Sequence, residues 1–588
     1  MTRIAVPGPA GAEPGRTRLR RREPVPPAAS DACRYLCAGV HADDRFRSAV
    51  IDELSVHEER FTAPSFGIDA ARILAHATYA RRRELGWALA VLAVWVLAVP
   101  LAGGYFVILL CPGIVLALLA WADSSIARSS ALVRGAVALV RWSARLMLAF
   151  VLALLLWDGI ADQLDDGSYR SGFGIPTALS LPFLVFDERP RSYGLLAVFF
   201  YALLVFLVGL RRGQSAQVLT GPLSATGFRD PETDPAERSA PSHTRRRMAE
   251  IRHEQHANLV MYHSDNPFRG AGRAFQPWTL SVELRPRKDT TPEALDNRTV
   301  LDRVRPLVDA LTVPSPHDSP RAADAVRDRL RELRTDEVVF LPADGIDSRE
   351  AAPYDPAEAE EHHRAAVEEG GEARRHFLRI RVGGWYEDVV VTVFVRVHTQ
   401  GGMLVLEVAP HVLMPVRNAF REAEREAHRY LAGSTLGRVA WAVAHTPAGL
   451  TSSVRTVYRA ALAAWERNTG GHRWALPEGP AVAVRELGAQ GVGSLFQQMD
   501  VLRYLQSIQD RISEGVKDAL RDAGWQTAEF EQKVVHVNGG VYIESAHNSA
   551  FGFGDRSTAN VSNFNNAGNF DHLDGFDKGE RHGRKAND

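Results

Sequence analysis

Apolar residues are distributed unevenly along the chain. No charged side chain occurs between residues 86 and 122. As one helix this stretch would measure about 56 Å at 1.5 Å per residue, whereas the hydrocarbon core of a bilayer is about 30 Å thick. We therefore expect two membrane crossings, at 86–103 and 104–122, with a turn near Gly103 and Gly104. Two later apolar segments, 136–157 and 193–210, predict a third and a fourth crossing.

The placement of charge predicts the orientation of these helices. Arginines at 81–83 precede the first crossing, and arginines at 211–212 follow the fourth. The loop between the third and fourth crossings is rich in aspartate. Because basic loops stay in the cytoplasm, we expect a multi-pass protein of the plasma (inner) membrane with both termini cytoplasmic.

Two arginines, Arg141 and Arg145, fall inside the third apolar segment. Long basic side chains can extend along their stems to the lipid headgroups, and this is the interpretation that we favour. The alternative is that these two arginines line a conduit through the membrane.

The segments on either side of the transmembrane domain (84–212) are polar. Residues 1–30 are rich in Pro, Gly and Arg and predict a disordered basic tail. Residues 31–83 have helical spacing of apolar positions, with Asp69 as a helix cap, and predict a helical cytoplasmic segment. Residues 213–252 are polar and predict a linker.

Residues 253–545 predict a cytoplasmic α+β domain. Apolar and polar residues alternate over 376–382, 385–398 and 403–412, and glycine pairs separate these runs. This pattern indicates an antiparallel meander with hairpin turns, which we expect to pair with strands in 258–284. The fold class is thus a membrane protein with about four transmembrane helices and a C-terminal α+β domain that has an antiparallel sheet.

Helices are also predicted in this domain, at 320–334, 415–430, 450–467 and 495–523. The last has apolar residues at spacings of three and four over about seven turns. Its apolar stripe can pack on the sheet, or it can associate with a second copy of itself near the membrane.

A glycine-rich segment near the start of the domain is a candidate binding turn. It reads as strand, turn and strand, and its residues are Tyr262, Pro267, Phe268, Gly270, Gly272 and Trp278. A dinucleotide fingerprint needs a third glycine and a following helix, and here a strand follows. A structural turn is therefore favoured over a phosphate-binding loop.

The Tyr-x4-Pro-Phe-x-Gly-x-Gly pattern of this segment resembles uncharacterised multi-pass membrane proteins of actinobacteria. Two earlier stretches resemble the same group, at 34–37 (Arg-Tyr-Leu-Cys) and 64–69 (Pro-Ser-Phe-Gly-Ile-Asp). The resemblance implies the membrane architecture over most of residues 31–545, and it implies no particular activity.

The C-terminal end predicts a short hairpin at 534–543 followed by a Gly/Asn-rich tail at 546–588. Asn ladders and stacked aromatics occur in cross-β stacks, and the tail loosely resembles bacterial amyloid-signalling tails. The candidate self-assembly residues are Val541, Ile543, Asn548, Phe551, Gly552 and Gly554. The alternative is a hairpin that completes the domain and a disordered end.

Composition excludes several classes of function. With 69 basic and 70 acidic residues the chain has no excess charge for nucleic-acid binding, and three cysteines cannot form a disulfide scaffold. The order His-Glu-Gln-His at 253–256 lacks the spacing of a zinc protease, and neither a Gly-x-Ser-x-Gly nor a phosphate-binding loop motif occurs.

We therefore expect a protein that is not an enzyme and has no cofactor or metal. Its partners would be the lipid bilayer and a protein partner or a second copy of the chain. The leading hypothesis is a membrane-anchored binding or signalling protein that acts through protein contacts at the inner membrane face. The alternative is a membrane-perturbing or pore-forming stress or cell-death effector that oligomerisation triggers.

Overall fold

The structure is a computed structural model that describes residues 26–108, 115, 131–164, 192–288, 290–313, 329–385 and 388–538. Several predictions lie outside these residues: the tail at 1–25, most of the crossing at 104–122 and all of the C-terminal segment from 539. The chain divides into two compact units, Met1–Glu531 and Gln532–Asp588.

The first unit begins with two short helices, α1 (Asp31–Ala42) and α2 (Asp44–Ile51), followed by the long helix α3 (Ala70–Ile108). Asp69 caps α3 as predicted, because its carboxylate accepts a hydrogen bond of 2.9 Å from the Ala71 amide. Helix α3 continues without interruption from the polar segment into the apolar one.

Among the residues that the structure describes, three helices are long and apolar enough to cross a membrane: α3, α4 (Ala131–Leu164) and α5 (Ser192–Thr220). The prediction of a turn near Gly103 and Gly104 is wrong, because α3 is helical through both glycines up to Ile108, the last described residue of this stretch. Pro100 also lies inside the helix. In an apolar environment a broken turn has no water to bond, so the helix persists through such residues.

The segment at 213–252, predicted as a linker, is structured. Helix α5 extends to Thr220, and a further helix, α6, spans Ser242–Glu254. Met248 and Ile251 on α6 are buried in one core with residues of α1 and α3. A polar sequence with sparse apolar positions is typical of a linker, but the large apolar side chains here, such as Leu219, Phe228 and Ile251, are buried in the same core.

One seven-stranded sheet forms the centre of the C-terminal domain. Its strands are β1 (Leu259–Tyr262), β2 (Arg273–Ala274), β3 (Trp278–Glu283), β4 (Arg334–Pro342), β5 (Arg375–Gly384), β6 (Val389–Gln400) and β7 (Met403–Leu413). The order is β1-β4-β5-β6-β7, with β2 and β3 both on the outer side of β7. β1 pairs with β4 in parallel and all other pairs are antiparallel. The meander and its pairing with strands in 258–284 are as predicted.

Both faces of this sheet are buried. On one face, Val390 and Phe394 pack in a core with Phe268 of the β1–β3 connection. On the other face, helices α7 (Asn297–Asp309) and α12 (Leu495–Asp522) pack against each other and against β6. Alternate side chains of a strand point to opposite faces, so the valines of β6 are buried in the cores on both faces of the sheet.

The other described helices longer than one turn are α8 (Pro356–Glu368), α9 (Asn418–Ala432), α10 (Thr435–His445), α11 (Gly449–Thr469) and α13 (Ala528–Asn538). Phe420 of α9 packs on Phe46 of α2 with ring centroids 4.9 Å apart. The sheet domain and the N-terminal helices therefore share one core.

Two predictions near the C-terminal helices differ from the structure. Residues 534–538, predicted as a strand, are helical in α13. Thr527 and Glu531 hydrogen-bond at 3.0 Å near the start of α13, and acidic residues in a first turn favour a helix. Of the helix predicted at 320–334, the described part is a 3-10 turn at Arg329–Glu332, and β4 begins at Arg334.

Candidate functional site

The predicted binding turn is a long connection across one face of the sheet. Residues 263–277, which we call the strap, run from β1 at one edge to β3 at the other. Tyr262 and Trp278 therefore lie at opposite edges, and Pro267 lies between them. The structure does not bring the six predicted residues together around one turn.

Phe268 is the central contact of the strap. Its ring lies 4.7 Å from those of Phe394 and His411 and 5.3 Å from that of Phe340, measured between centroids. These separations suit packed aromatic pairs. Phe268 therefore covers the sheet face and stabilises the core beneath it.

Gly270 and Gly272 have left-handed backbones, with φ of 99° and 95°. Their amides donate hydrogen bonds of 2.8 and 3.0 Å to the same carboxylate oxygen of Glu486. Burial raises the pKa of Glu486, although these two donors oppose that rise. A pair of amides that could hold a phosphate is thus occupied by a carboxylate of the chain itself.

Arg141 and Arg145 lie one turn apart on α4. Arg141 is half-buried, whereas Arg145 is exposed and its guanidinium is 5.8 Å from the centre of the Trp142 ring. A basic side chain beside tryptophan is typical of the membrane–water interface. The candidate self-assembly residues of the tail, from Val541 to Gly554, lie outside the described residues.

The apolar stripe predicted at 495–523 divides into two halves. In the second half Leu505, Ile508, Ile512, Val516 and Leu520 are buried against the sheet and α7. In the first half, four neighbouring apolar side chains remain between 52% and 70% exposed; these are Leu495, Phe496, Met499 and Leu502, which we call the α12 stripe. Trp385 borders it, since its indole N–H donates to Asp500 at 3.0 Å.

A second exposed apolar surface lies on the hairpin formed by α10 and α11. α10 packs against α5, and α11 packs against α3. Gly449 and Ala442 of this hairpin approach Val208 and Gly209, which belong to the candidate span Leu195–Thr220. The exposed residues of the hairpin are Leu436, Val439, Val454, Tyr458, Leu462 and Trp465.

Sequence reasoning missed a buried ionic network at the base of α3. Asp234 accepts hydrogen bonds of 2.9 Å from Arg72 and from His76, and His76 in turn contacts His41 at 3.3 Å. Burial would raise the pKa of Asp234, but the His76 hydrogen bond and the Arg72 charge outweigh burial and hold it well below its usual range. The network joins α3 to the segment after α5.

A histidine–carboxylate cluster was also missed. Glu337 on β4 lies beside His376 on β5 and His363 on α8, at an open pocket of about 420 Å³. Arg298 donates to both oxygens of Glu337 at 2.9 Å, and His376 donates at 3.0 Å. A second cluster consists of His57, Glu59 and His472. Neither could be found from the sequence, because each is completed by a residue from a distant part of the chain.

Comparisons with known proteins bear on the sheet domain. Residues 277–549 match the family model of the AbeC-like domain. A search of curated proteins and of solved structures finds no match. The matched part begins at the strap's end and contains β3–β7 and α7–α13, and this part of the chain is therefore similar to an AbeC-like domain.

Proposed function

We propose that this chain is a membrane-anchored, non-enzymatic protein that binds a partner protein through the α12 stripe at the inner face of the plasma membrane. The observation that carries the proposal is the exposure of Leu495, Phe496, Met499 and Leu502 on a helix whose other half is fully packed. Contiguous exposed apolar side chains that include an aromatic residue are typical of binding surfaces.

The arrangement of the flanks supports a four-crossing anchor. The N-terminal helices and the sheet domain share a core, in which Phe46 packs on Phe420, and this shared core supports an arrangement with both flanks on one side of a membrane. The number of crossings between them must then be even. Three described helices are candidates, and the crossing predicted at 104–122, which lies mostly outside the described residues, would bring the number to four.

Basic residues at the ends of these helices support the cytoplasmic assignment. Arg211 contacts Glu84, and Arg212 lies over the rings of Tyr430 and Trp441. These arginines support a membrane surface near the junction of the spans and the sheet domain. The exposed apolar side of the α10–α11 hairpin then borders the headgroups, where Trp and Tyr are favoured.

The α12 stripe differs from the hairpin because, in the described part of the chain, α12 packs mainly on α7 and β6 rather than on a candidate span. Its neighbours are sheet-domain residues: Gln497 hydrogen-bonds to Asp388, and Trp385 to Asp500. A protein surface that binds such a stripe would remove four large apolar side chains from water, each worth about 1.5–3 kcal/mol when fully buried. The ordering of the two partners offsets a large part of that gain.

Site-specific photo-crosslinking in living cells tests the proposal. A photoreactive phenylalanine analogue in place of Phe496 should give one discrete protein adduct. The pair Met499→Asp and Leu502→Asp should abolish that adduct at unchanged protein level, because both positions are exposed and the fold does not need them.

The matched control carries the same analogue in place of Tyr458, an equally exposed aromatic position on α11. It should give no protein adduct, since that side borders lipid in this proposal. Mass spectrometry of the Phe496 adduct then distinguishes a second copy of the chain from another protein. Absence of an adduct at Phe496, or the same adduct at both positions, contradicts the proposal.

A further inference from the structure

His57, Glu59 and His472 are brought together from opposite ends of the chain. His57 follows the helical turn Asp52–Val56, and Glu59 follows two residues later. His472 comes directly after Gly471, whose φ of 65° ends α11 and redirects the chain. Backbone hydrogen bonds between Glu59 and Glu478 (3.2 Å) and between Phe61 and Glu478 (2.9 Å) hold the two segments side by side.

The three side chains converge on one point. The Nδ1 atoms of His57 and His472 lie 2.6 and 3.3 Å from the same oxygen, Oε1, of Glu59. The two imidazole rings contact edge to face with centroids 4.4 Å apart. Ligand atoms of a tetrahedral zinc ion are about 3.3 Å apart when each bond is about 2.0–2.1 Å. An ion therefore fits between the three side chains once the distance between His57 Nδ1 and Glu59 Oε1 increases slightly.

The carboxylate of Glu59 has an unused ligand atom. The residue is only 7% exposed, yet its Oε2 is buried and has no hydrogen-bond partner among the described residues. A buried acceptor without a partner costs about 1–3 kcal/mol or more when it is charged. A metal ion bound at this cluster would satisfy the carboxylate.

The cluster at Glu337 shows by contrast why the Glu59 cluster suits a cation. Arg298 already donates hydrogen bonds to both oxygens of Glu337. The negative charge of the Glu337 carboxylate is therefore neutralised, and its oxygens are already used as acceptors. In the described part of the chain, the ion pairs of Glu59 involve only His57 and His472. Glu59 therefore keeps its charge available for a metal ion.

We propose that His57, Glu59 and His472 bind a divalent transition-metal ion, with zinc as the best fit. Two imidazoles and one carboxylate suit zinc and its neighbours, whereas magnesium and calcium prefer oxygen ligands. The fourth position is left for water. The ion ties the segment after α2 to the loop after α11 and so fixes the position of the α10–α11 hairpin against the N-terminal helices.

Metal titration of the full-length protein in detergent tests this site. The protein is purified through an affinity tag that contains no histidine and is stripped with a chelator. Cobalt(II) should then bind with one equivalent and give a visible d–d absorption band, which zinc abolishes by competition. Glu59→Gln has nearly the same shape and should weaken cobalt binding by at least about tenfold.

His472→Ala should weaken cobalt binding similarly, and circular dichroism checks that both variants are folded. His363→Ala, in the Glu337 cluster, is the matched control and should bind cobalt as the unaltered protein does. No absorption band in the unaltered protein, or equal affinity in Glu59→Gln, overturns the proposal.

Discussion

Three carboxylates, Asp234, Glu337 and Glu59, differ in what neutralises their charge. In the described part of the chain, Asp234 has a buried arginine and a histidine, Glu337 has two arginines and a histidine at a pocket, and Glu59 has two histidines alone. Breaking a buried pair by removing one partner is far more costly than the pair's net contribution. Asp234 and Glu337 are therefore expected to stabilise the fold, and of these three carboxylates only Glu59 is able to bind a cation.

The pKa of Glu337 predicts how stability changes with pH. The His376 hydrogen bond contributes most and, with the Arg298 charge, lowers the pKa of Glu337 from 4.5 to about 2 in spite of burial. A carboxyl whose folded pKa is depressed stabilises the fold above its unfolded pKa, and this stability is lost as the pH falls from about 4 towards 2. At 1.36 kcal/mol per unit, the contribution is at most about 3 kcal/mol.

Glu337→Gln should therefore lower the unfolding midpoint at pH 7, by the equivalent of about 1–3 kcal/mol, and the gap should narrow as the pH falls below 4. Urea unfolding followed by circular dichroism between pH 3 and 7 measures this. Glu360→Gln is the control, because Glu360 lines the same pocket but is exposed. Equal behaviour of the two variants would contradict the role assigned to Glu337.

Among the elements, those with a local signal were predictable. The meander strands and the helix at 495–523 begin and end within a few residues of their predicted positions, because period and glycine punctuation are local properties. The path of the strap from one edge of the sheet to the other was not predictable. A strand, a glycine-rich turn and a second strand have the same sequence pattern in a hairpin as in a connection that spans the sheet. The ligands His57 and His472 meet only through tertiary packing, which no local pattern encodes.

The strap makes a prediction at this scale. A Cβ at Gly270 would fall well inside contact distance of the Pro64 carbonyl oxygen, whereas a Cβ at Gly345 would meet nothing within 4 Å. Both residues have positive φ, of 99° and 92°. Both alanine variants incur the backbone strain of about 1–3 kcal/mol, and only Gly270→Ala adds a steric conflict.

Gly270→Ala should therefore destabilise the protein clearly more than Gly345→Ala, and it should also disturb the Glu486 hydrogen bonds. The thermal unfolding midpoints of the two full-length variants in the same detergent measure the difference. If both variants lower the midpoint equally, the close approach of the strap to Pro64 does not contribute to stability.

At the scale of the whole molecule, the shared core of the two flanks constrains the path of the chain through a membrane. α3 leaves this core at its base, and α5 returns to it, with Leu219 and Leu223 buried beside α1. α4 packs against α5. If α3, α4 and α5 all cross, the four-crossing proposal follows, because an odd number of crossings would separate the flanks.

This path can be tested by labelling single cysteines with a membrane-impermeant maleimide. Cys111 is replaced by serine, and the native Cys33 and Cys37 are buried and should stay unreactive. Ser168→Cys, between α4 and α5, should label in intact cells. Ser129→Cys, before α4, and Glu232→Cys, after α5, should label only after the membrane is permeabilised.

Labelling of Ser129→Cys in intact cells would show that the segment after α3 does not return to the cytoplasm. Labelling of Glu232→Cys would place the sheet domain, and with it the α12 stripe, outside the cell.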